Sequence, residues 1–323
     1  MIVGVSPAIR RALVLAERYA RTPLPVLLVG ATGTGKELFA EHIHERSGRP
    51  GPLVDVNCGA LPREMVESLL FGHRRGAFTG AVDSKVGHVE RSDGGTLFLD
   101  ELESLAPDAQ AKVLRVLETG HVQPLGAPTK QRVDLRVIGA VQDGIGEALA
   151  SGRFRRDLFQ RVAGVVIDLP PLVARLEDVV PLARHFASLR DQELEPDAAR
   201  ALLNYTWPGN VRELRLTIER AGHLEANGAI TVGAVMEAIE LGSVVPPQIH
   251  GNLDERTRLF RTCQAYRWNS AAIAKAMGVS RTTLHRRLRE LGLSLRRAKK
   301  YHFVPGCAEQ FEPTVPETVR RSS

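Results

Sequence analysis

The stretch VLLVGATGTGKE, residues 26–37, decides the fold class of this chain. Four apolar residues typical of a buried strand lead into a glycine-rich segment, and a helical pattern begins at Glu37. The spacing GxxxxGK in this setting predicts a phosphate loop, because glycines let backbone N–H groups close around phosphates and the helix N-terminus adds its dipole. The predicted nucleotide-binding residues are Gly30, Ala31, Thr32, Gly33, Thr34, Gly35, Lys36 and Glu37. Glu37 stands where a Ser or Thr often supplies a hydroxyl to Mg²⁺.

The segment GGTLFLDE supplies the partner of that loop. It reads as an apolar strand that ends in the acidic pair Asp100 and Glu101, 64 residues after Lys36. An acidic pair at the end of a buried strand, together with a phosphate loop, is typical of ATP hydrolysis. The sequence therefore predicts ATP and Mg²⁺ as cofactors. Asp100 is expected to hold the metal, directly or through water, and Glu101 to activate the attacking water.

Strand and helix patterns alternate through the first 170 residues, which predicts an α/β fold with a parallel sheet covered by helices. The candidate strands are Val26–Val29, Leu53–Val56, Thr96–Leu99, Leu135–Val141 and Val165–Leu169. Strand patterns then stop, and apolar residues at helical spacing predict an all-helical lid over residues 171–241. The rest is predicted to form a Pro/Gly linker (242–252), a compact helical unit (253–295) and a basic tail (296–323).

Composition limits the classes of function. The chain has 323 residues, of which 43% are hydrophobic and 25% charged, as in ordinary soluble globular proteins. Its apolar runs are far shorter than a membrane span requires, and the amphipathic N-terminus lacks the marks of a secretion signal. Three cysteines without CxxC spacing indicate neither a disulfide framework nor a metal site. We therefore expect a cytoplasmic protein with no membrane partner.

Positive charge is concentrated at the C-terminal end. Residues 251–323 carry 15 Lys and Arg against 6 Asp and Glu, whereas the first 250 residues carry 28 against 31. This asymmetry favours a nucleic-acid-binding module attached to a nearly neutral body.

A helix–turn–helix pattern occupies residues 269–293, NSAAIAKAMGVSRTTLHRRLRELGL. Gly278 is expected at the turn and Ser280 at the N-cap of the second helix. The apolar residues expected to pack the two helices together are Ala272, Ile273, Ala276, Leu284, Leu288 and Leu291. The residues predicted to contact the bases or phosphates of double-stranded DNA are Arg281, Thr282, His285, Arg286 and Arg289.

The hexapeptide GAFTGA lies between the phosphate loop and the acidic pair. Its residues are Gly76, Ala77, Phe78, Thr79, Gly80 and Ala81. Flanking glycines give permissive backbone angles, so a bare Phe78 and Thr79 are expected at an exposed loop tip. Six motifs over residues 2–293 resemble, in order and spacing, those of the AAA+ bacterial enhancer-binding proteins, the NtrC-type activators of sigma-54 RNA polymerase. They are GATGTGKE, NCGAL, FGHRRGAFTGA, GGTLFLDE, GRFRRDLFQRV and WPGNVREL.

This resemblance implies an AAA+ ATPase with a C-terminal Fis-type DNA-binding module. Subunits would form dimers that assemble into a hexamer-like ring, bind a palindromic enhancer site upstream of a promoter, and open the sigma-54 polymerase complex. The GAFTGA residues 76–81 would contact sigma-54, with Phe78 and Thr79 making the contact.

The resemblance also implies roles for individual residues. Asn57 would be a switch residue that hydrogen-bonds the Glu101 carboxylate, and Gln142 would occupy the sensor position after the fourth strand. Arg155 and Arg161 would act in trans as arginine fingers. Their spacing of six places them apart on a continuous helix, so a short or broken helix is needed for both to face a subunit boundary.

The segment WPGNVREL predicts a turn that begins a helix of the lid. Arg212 falls in the first turn of that helix, and the resemblance implies that it is the sensor arginine of the lid. The ATPase motifs start almost at the first residue, and in this the sequence resembles the stand-alone members of the family, which lack a receiver or GAF domain. This likeness predicts control by a separate regulatory protein or by the level of synthesis.

Some positions depart from the family pattern and keep an alternative open. Val141 and Gln142 stand where the family usually has Thr-Asn, and Leu69 and Arg74 replace acidic residues near FGH. These departures favour a regulator that binds ATP but hydrolyses it poorly, acting as a repressor or as one subunit of a mixed ring. The intact GAFTGA motif favours the activator. A chaperone or protease ATPase is a third reading, which the helix–turn–helix pattern disfavours.

Overall fold

The computed structural model describes residues 2–225, 228–242 and 270–290. The chain divides into two units, Met1–Ile249 and His250–Ser323. The predicted linker at 242–252, apart from its first residue, and the predicted basic tail at 296–323 lie outside the described residues. In the described part, no helix is long and apolar enough to cross a membrane.

The first unit contains the predicted parallel sheet. In chain order its strands and those of a small hairpin are β1 (Val26–Val29), β2 (Leu53–Asn57), β3 (Thr96–Asp100), β4 (His121–Val122), β5 (Gln131–Arg132), β6 (Arg136–Val141) and β7 (Val165–Asp168). Five of them form one sheet in the order β2–β3–β6–β1–β7, and every neighbouring pair is parallel. The five candidate strands are confirmed, with ends that differ by at most one residue. The antiparallel pair β4–β5 was not predicted.

Helices cover both faces of this sheet. They are α1 (Pro7–Ala20), α2 (Lys36–Ser47), α3 (Val66–Phe71), α4 (His88–Arg91), α5 (Pro107–Thr119), α6 (Ile145–Ala150) and α7 (Arg156–Val162). Alternate strand residues point to opposite faces, so Leu27 packs in a core with α3, α5 and α7, whereas Val26 and Leu28 pack in a second core with α1 and α2. The three inner strands β1, β3 and β6 are buried on both sides, which explains their continuous apolar runs, whereas the edge strands β2 and β7 have exposed positions.

The lid is all-helical, as the sequence predicted. Its helices are α8 (Val179–Ser188), α9 (Pro196–Leu202), α10 (Asn210–Leu224) and α11 (Val232–Gly242). They share one apolar core around Trp207, which is buried and donates its indole N–H to Leu202 O over 3.0 Å. Glu213 fixes the start of α10, because its Oε2 accepts from Gly209 N–H over 2.8 Å and its Oε1 accepts from the Tyr205 hydroxyl.

In the second unit the structure describes two helices joined by a turn, Ser270–Ala276 and Arg281–Glu290. Gly278 takes a left-handed conformation at the turn (φ 63°), and the Ser280 hydroxyl accepts from Thr283 N–H over 3.1 Å at the start of the second helix. The side chains packed between the helices are Ile273, Ala274, Leu284 and Leu288, with Met277 and Val279 at the edge.

One expectation for this packing was wrong. Ala276 is exposed and Ala274 is buried instead, because the first helix meets the second at positions 273 and 274 and ends at Ala276. The side chain of Ala272 and the whole of Leu291 lie outside what the structure describes. The helix predicted to precede this pair lies outside it as well.

Candidate functional site

The predicted phosphate loop joins the end of β1 to the start of α2. Gly35 caps α2 in a left-handed conformation (φ 106°), and Gly33 is also left-handed (φ 79°). Both angles are costly for a residue with a side chain, so these two positions need glycine. The Thr34 hydroxyl donates to Ala31 O over 2.8 Å and braces the turn from inside.

Lys36 is the first residue of α2 and only 8% exposed. Its ammonium donates to Gly30 O over 2.6 Å and to Ala31 O over 3.2 Å, so it lies along the loop rather than in solvent. Burial lowers the pKa of Lys36, and the negative charge of nearby carboxylates opposes this. Those carboxylates belong to Asp100, Glu103, Asp143 and Glu101. The phosphate loop and the acidic pair therefore share one electrostatic site.

The acidic pair stands at the carboxyl edge of the sheet. Asp100 ends β3 opposite Asn57, and its Oδ1 accepts from Glu101 N–H over 3.0 Å. Glu101 is one of the non-glycine residues with a left-handed backbone (φ 51°). Such a conformation costs about 1–3 kcal/mol and is concentrated at functional sites.

Asn57 contacts the backbone rather than the Glu101 carboxylate. Its Oδ1 accepts from Ala60 N–H over 3.0 Å and caps a short 3₁₀ turn, Cys58–Ala60. Among the described residues, no hydrogen bond joins Asn57 to Glu101. Both side chains border Gly59, where a Cβ would collide with Glu101 Oε2. The switch role of Asn57 stays a prediction.

Glu103 belongs to this site although the sequence did not single it out. Its Oε1 accepts from the backbone N–H of Gln142 over 2.9 Å, and burial raises its pKa, while that hydrogen bond and the Lys36 charge lower it. The Gln142 side chain is exposed, so the contact at the sensor position is made by backbone. The sequence feature that could have identified Glu103 is its position as a further carboxylate two residues after the acidic pair.

The lid touches the phosphate loop directly. The Asn210 side-chain amide donates to Thr32 O, Val211 N–H donates to Gly33 O and the Arg175 guanidinium donates to Thr34 O. Arg212, the predicted sensor, follows in α10 with an exposed side chain whose Cβ lies 3.1 Å from the position a Cβ would take on Gly33. The sequence predicts Arg212 as the sensor of the lid, and that role stays a prediction, whereas no sequence pattern singles out Arg175 or the contact made by Asn210.

The two predicted arginine fingers lie on α7, which is short. Arg155 precedes the helix as its N-cap, and its guanidinium pairs with Asp157 over 2.7 Å. The hydrogen bond to Asp157 raises the pKa of Arg155. Arg161, in the last turn, donates to Leu117 O over 2.8 Å. Both side chains are exposed, and their action in trans stays a prediction.

The GAFTGA residues form a tight loop at the end of a narrow stem. His73 and Lys85 exchange backbone hydrogen bonds of 2.9 and 2.8 Å at the base, and Gly76 N–H donates to Ala81 O across the tip over 2.8 Å. Phe78 is 45% exposed, with its ring edge-on to that of His73 at 5.1 Å between centroids. Thr79 is also exposed.

The unpredicted hairpin β4–β5 supports this loop. Arg74 N–H donates to Leu125 O, and Leu125 N–H donates to Gly72 O, both over 2.9 Å. Gly126 (φ 72°) packs so closely that a Cβ there would stand 2.9 Å from the Cβ of Ala77. The GAFTGA loop therefore has a second segment packed against its stem.

Two family models match this chain. The sigma-54 interaction domain matches residues 2–168, and the AAA+ ATPase lid domain matches residues 174–247. The chain belongs to the sigma-54 interaction domain family. The phosphate loop, the acidic pair and the GAFTGA loop all fall within the first match, and Asn210 and Arg212 fall within the second.

Characterised relatives agree with this family. HoxA of Cupriavidus necator, a hydrogenase transcriptional regulatory protein, is 40% identical over 86% of this chain and 63% of its own length. NorR of Salmonella typhimurium, an anaerobic nitric oxide reductase transcription regulator, is 41% identical over 90% and 63%. The Nif-specific regulatory protein of Azotobacter vinelandii is 36% identical over 92% and 60%. The chain therefore spans less than two thirds of these relatives.

Solved structures place this sigma-54 interaction domain in the AAA+ fold. NtrX of Brucella abortus in complex with ATP superimposes with a TM-score of 0.68 at 30% identity, over 91% of this chain and 70% of NtrX. RuvB of Thermotoga maritima shares the fold at 19% identity, with a TM-score of 0.54 over 94% of this chain and 96% of RuvB.

The site residues of this family member fit a nucleotide with a divalent cation. Among the described residues, none accepts a hydrogen bond from N–H of Gly33 or Gly35, so both remain available to an anion. Lys36 supplies a cation beside them, and Asp100 and Glu101 supply hard oxygen ligands at the neighbouring strand end. No group of three or more His, Cys, Asp or Glu in the described part could hold a metal by itself.

Exposed polar groups also line the second helix of the C-terminal unit. Arg281, Thr282, His285 and Arg286 are exposed, whereas Leu284 and Leu288 of the same helix are buried. The side chain of Arg289 lies outside the described residues. This arrangement matches the predicted polar face, and its binding to DNA stays a prediction.

Proposed function

We propose that this chain is a sigma-54-dependent transcriptional activator. It binds enhancer DNA, assembles into a ring, and couples ATP hydrolysis to opening of the promoter complex by sigma-54 RNA polymerase. One observation carries the proposal: the exposed GAFTGA loop, with Phe78 at its tip, stands on the same domain as the phosphate loop and the acidic pair. A nucleotide-binding site alone would leave such a loop without a purpose.

Lys36 and the free N–H groups of the phosphate loop would bind the β- and γ-phosphates. Asp100 would hold Mg²⁺ together with phosphate oxygens, and the metal would supply positive charge against the charge on the γ-phosphate. Glu101 would accept a proton from the attacking water. The oxygen of that water would bond to the γ-phosphorus, and the bond between the γ-phosphorus and the oxygen bridging to the β-phosphate would break.

A ring is proposed because the chain carries two exposed arginines that can supply further positive charge to a γ-phosphate. Within the described part of the chain, Arg155 and Arg161 are exposed on α7, engaged only with Asp157 and Leu117 O. In a ring, such arginines can reach the nucleotide of the neighbouring subunit. The proposed unit of activity is therefore an oligomer of identical subunits.

DNA binding is assigned to the C-terminal helix pair. Arg281 and His285 lie one turn apart on the exposed side of the second helix, at a spacing that suits base edges in a major groove. Two copies of this helix in a dimer would recognise a palindromic site.

The proposal is tested by transcription from a sigma-54 promoter with purified polymerase. Wild-type protein and ATP should yield open complexes, and the variant Glu101→Gln should bind ATP without yielding them. ATP hydrolysis per subunit should rise steeply with protein concentration, because the arginine fingers act between subunits. The activator proposal is contradicted if ATP hydrolysis per subunit does not change with protein concentration and no open complexes form.

A second candidate follows from the sensor position. Gln142 turns its side chain to solvent and contacts Glu103 only through its backbone. A site without a side-chain sensor suits a protein that binds ATP and hydrolyses it poorly, as a repressor or as one subunit of a mixed ring. This candidate predicts ATP binding with near-background hydrolysis, and hydrolysis restored by adding a second family member.

A further inference from the structure

We propose that the lid sets the geometry of the phosphate loop by holding three consecutive loop carbonyls, with Asn210 and Arg175 as the positioning residues. The carbonyls belong to Thr32, Gly33 and Thr34, and each accepts a hydrogen bond from a different lid group. The inference rests on the proposed binding of ATP by this loop. It gives the lid a role in phosphate recognition that involves no lid side chain touching the nucleotide.

Asn210 makes the first of these bonds. Its side-chain Nδ2 donates to Thr32 O over 2.9 Å while its Oδ1 accepts from Leu172 N–H over 2.7 Å. The residue is 3% exposed and has a left-handed backbone (φ 53°), which Asn adopts at lower cost than most residues. Both ends of the amide are therefore used, and its orientation is fixed by the lid.

The second bond is made by backbone. Val211 N–H, in the first turn of α10, donates to Gly33 O over 2.9 Å. Helix N-termini have N–H groups with no partner inside the helix, so this contact uses a donor that α10 leaves free. The close approach depends on Gly33, because a Cβ there would collide with Gly209 O.

The third bond comes from a buried arginine. Arg175 donates from one guanidinium nitrogen to Thr34 O over 2.8 Å, and its other terminal nitrogen lies 3.7 Å from Asp178. Asp178 is itself fixed by N–H and hydroxyl of Ser6, both at 2.7 Å. Burial lowers the pKa of Arg175, while Asp178 opposes this. The guanidinium thus has a fixed position against the loop.

The geometric consequence follows from the planar trans peptide. In each peptide unit the C=O and the next N–H point in opposite directions. Carbonyls 32, 33 and 34 face the lid, so the N–H groups of residues 33, 34 and 35 turn away from it. Those of Gly33 and Gly35 have no acceptor within the described part of the chain. The lid therefore prearranges donors for phosphate, and binding needs no reordering of the loop.

The variant Asn210→Asp isolates the first bond. Aspartate tolerates the left-handed backbone and keeps an oxygen for Leu172 N–H, but it offers no donor to Thr32 O. We expect ATP binding about three- to tenfold weaker, the effect of losing one hydrogen bond. Adenosine binding should be unchanged, since adenosine has no phosphate.

The variant Arg175→Lys shows whether a loss of ATP affinity in Asn210→Asp comes from lost positioning or from the negative charge that aspartate adds. Lysine keeps the positive charge opposite Asp178 and lacks the planar fork that spans Thr34 O and the carboxylate together. A similar phosphate-dependent loss is expected without any change in net charge.

The control is Thr231→Val, a lid substitution away from the loop. The Thr231 hydroxyl accepts from Ala234 N–H over 3.2 Å and donates to Glu225 over 2.7 Å, so its loss loosens α11 only. It should lower the thermal midpoint and leave ATP affinity unchanged.

The measurements are affinities for ATP and adenosine, with thermal midpoints, for wild type and the three variants. Loss of ATP affinity in Asn210→Asp and Arg175→Lys with adenosine unaffected supports the inference. The inference is overturned if both variants bind ATP as tightly as wild type does, or if they lose affinity for adenosine as much as for ATP. It is also overturned if only Asn210→Asp loses affinity for ATP. If Asn210→Asp does not fold, Arg175→Lys decides. Wild type that fails to bind ATP would instead overturn the proposed function, and this inference with it.

Discussion

The backbone N–H of Gln142 donates to Glu103 Oε1 over 2.9 Å, so the segment after β6 is tied to the segment after β3 by a carboxylate. The second oxygen of Glu103 is buried and has no partner among the described residues. Burial raises the pKa of this carboxyl. A group with a raised pKa in the folded state contributes stability below its unfolded pKa, and that contribution is lost as the pH rises through the folded value.

Glu103→Gln should therefore stabilise the protein at neutral pH. Glutamine keeps an oxygen for Gln142 N–H and has no charge to bury, so we expect a higher free energy of unfolding at pH 7. The gain should shrink toward about pH 4, where a growing fraction of the glutamate is protonated and the buried charge is removed. Urea unfolding at the two pH values measures it, with the exposed Glu118→Gln as control. A gain that grows on acidification would contradict the argument.

Gly59→Ala should uncouple ATP binding from hydrolysis. A Cβ at this position would collide with Glu101 Oε2, and no left-handed backbone angle complicates the change. Displacement of the carboxylate by about 1 Å is expected to slow hydrolysis by about 10²-fold. Affinity for ATP should be retained, because the phosphate loop is untouched. Steady-state measurements of ATP hydrolysis test the expected loss of rate, and equilibrium binding of ATP tests the retained affinity.

The control for that prediction is Gly146→Ala in α6. A Cβ there meets no atom within 4 Å, and alanine favours the helix. Hydrolysis should be unchanged. If Gly59→Ala were as active as Gly146→Ala, the Glu101 carboxylate would be free to move without loss, and its assignment as the base would weaken.

Much of the fold could be predicted because it depends on local patterns. The apolar run that ends at Asp100 and the one that ends at Val29 specify buried parallel strands, and the register of a parallel sheet then brings their ends together. The acidic pair and the phosphate loop could be assigned to one site for this reason. The spacing of the phosphate loop and the acidic pair along the chain is what makes this assignment possible from the sequence.

The contacts that were missed depend on long-range packing. Arg175 reaches Thr34 across 141 positions, and a single buried arginine in a Pro-containing turn has no periodicity to mark it. The strands β4 and β5 have two residues each, too few for an alternation pattern. Ala276 was assigned to a buried face by helical spacing, whereas the position of the turn decided which side was covered.

Gly126→Ala should impair the GAFTGA loop without affecting the nucleotide site. The new methyl group would press on Ala77, since its Cβ would stand 2.9 Å from that of Ala77. Open-complex formation should fall while ATP hydrolysis is retained. Gly152→Ala controls for backbone strain, because its φ of 73° is like the 72° of Gly126 and a Cβ there meets nothing within 4 Å. Equal transcription by the two variants would show that the hairpin contact is dispensable.

Arg136→Met should destabilise the sheet domain as a whole. Arg136 begins β6, is 3% exposed, and donates to Tyr19 O over 2.7 Å and to Ala20 O at the end of α1. Tyr19 O also accepts from the N–H and hydroxyl of Thr22, whereas Arg136 is the partner given for Ala20 O among the described residues. A cation beside these carbonyls also complements the helix dipole. Methionine keeps the apolar stem and leaves Ala20 O unsatisfied.

The expected loss is about 2–3 kcal/mol in the free energy of unfolding, as for a hydrogen bond from a charged group. Arg11→Met, at an exposed position of the same helix, should change stability by less than about 0.5 kcal/mol. Denaturant titration of the two variants and of the wild type measures these changes in the free energy of unfolding. Equal stabilities would mean that water satisfies the end of α1 as well as Arg136 does, and that the buried guanidinium contributes nothing net to holding α1 on the sheet.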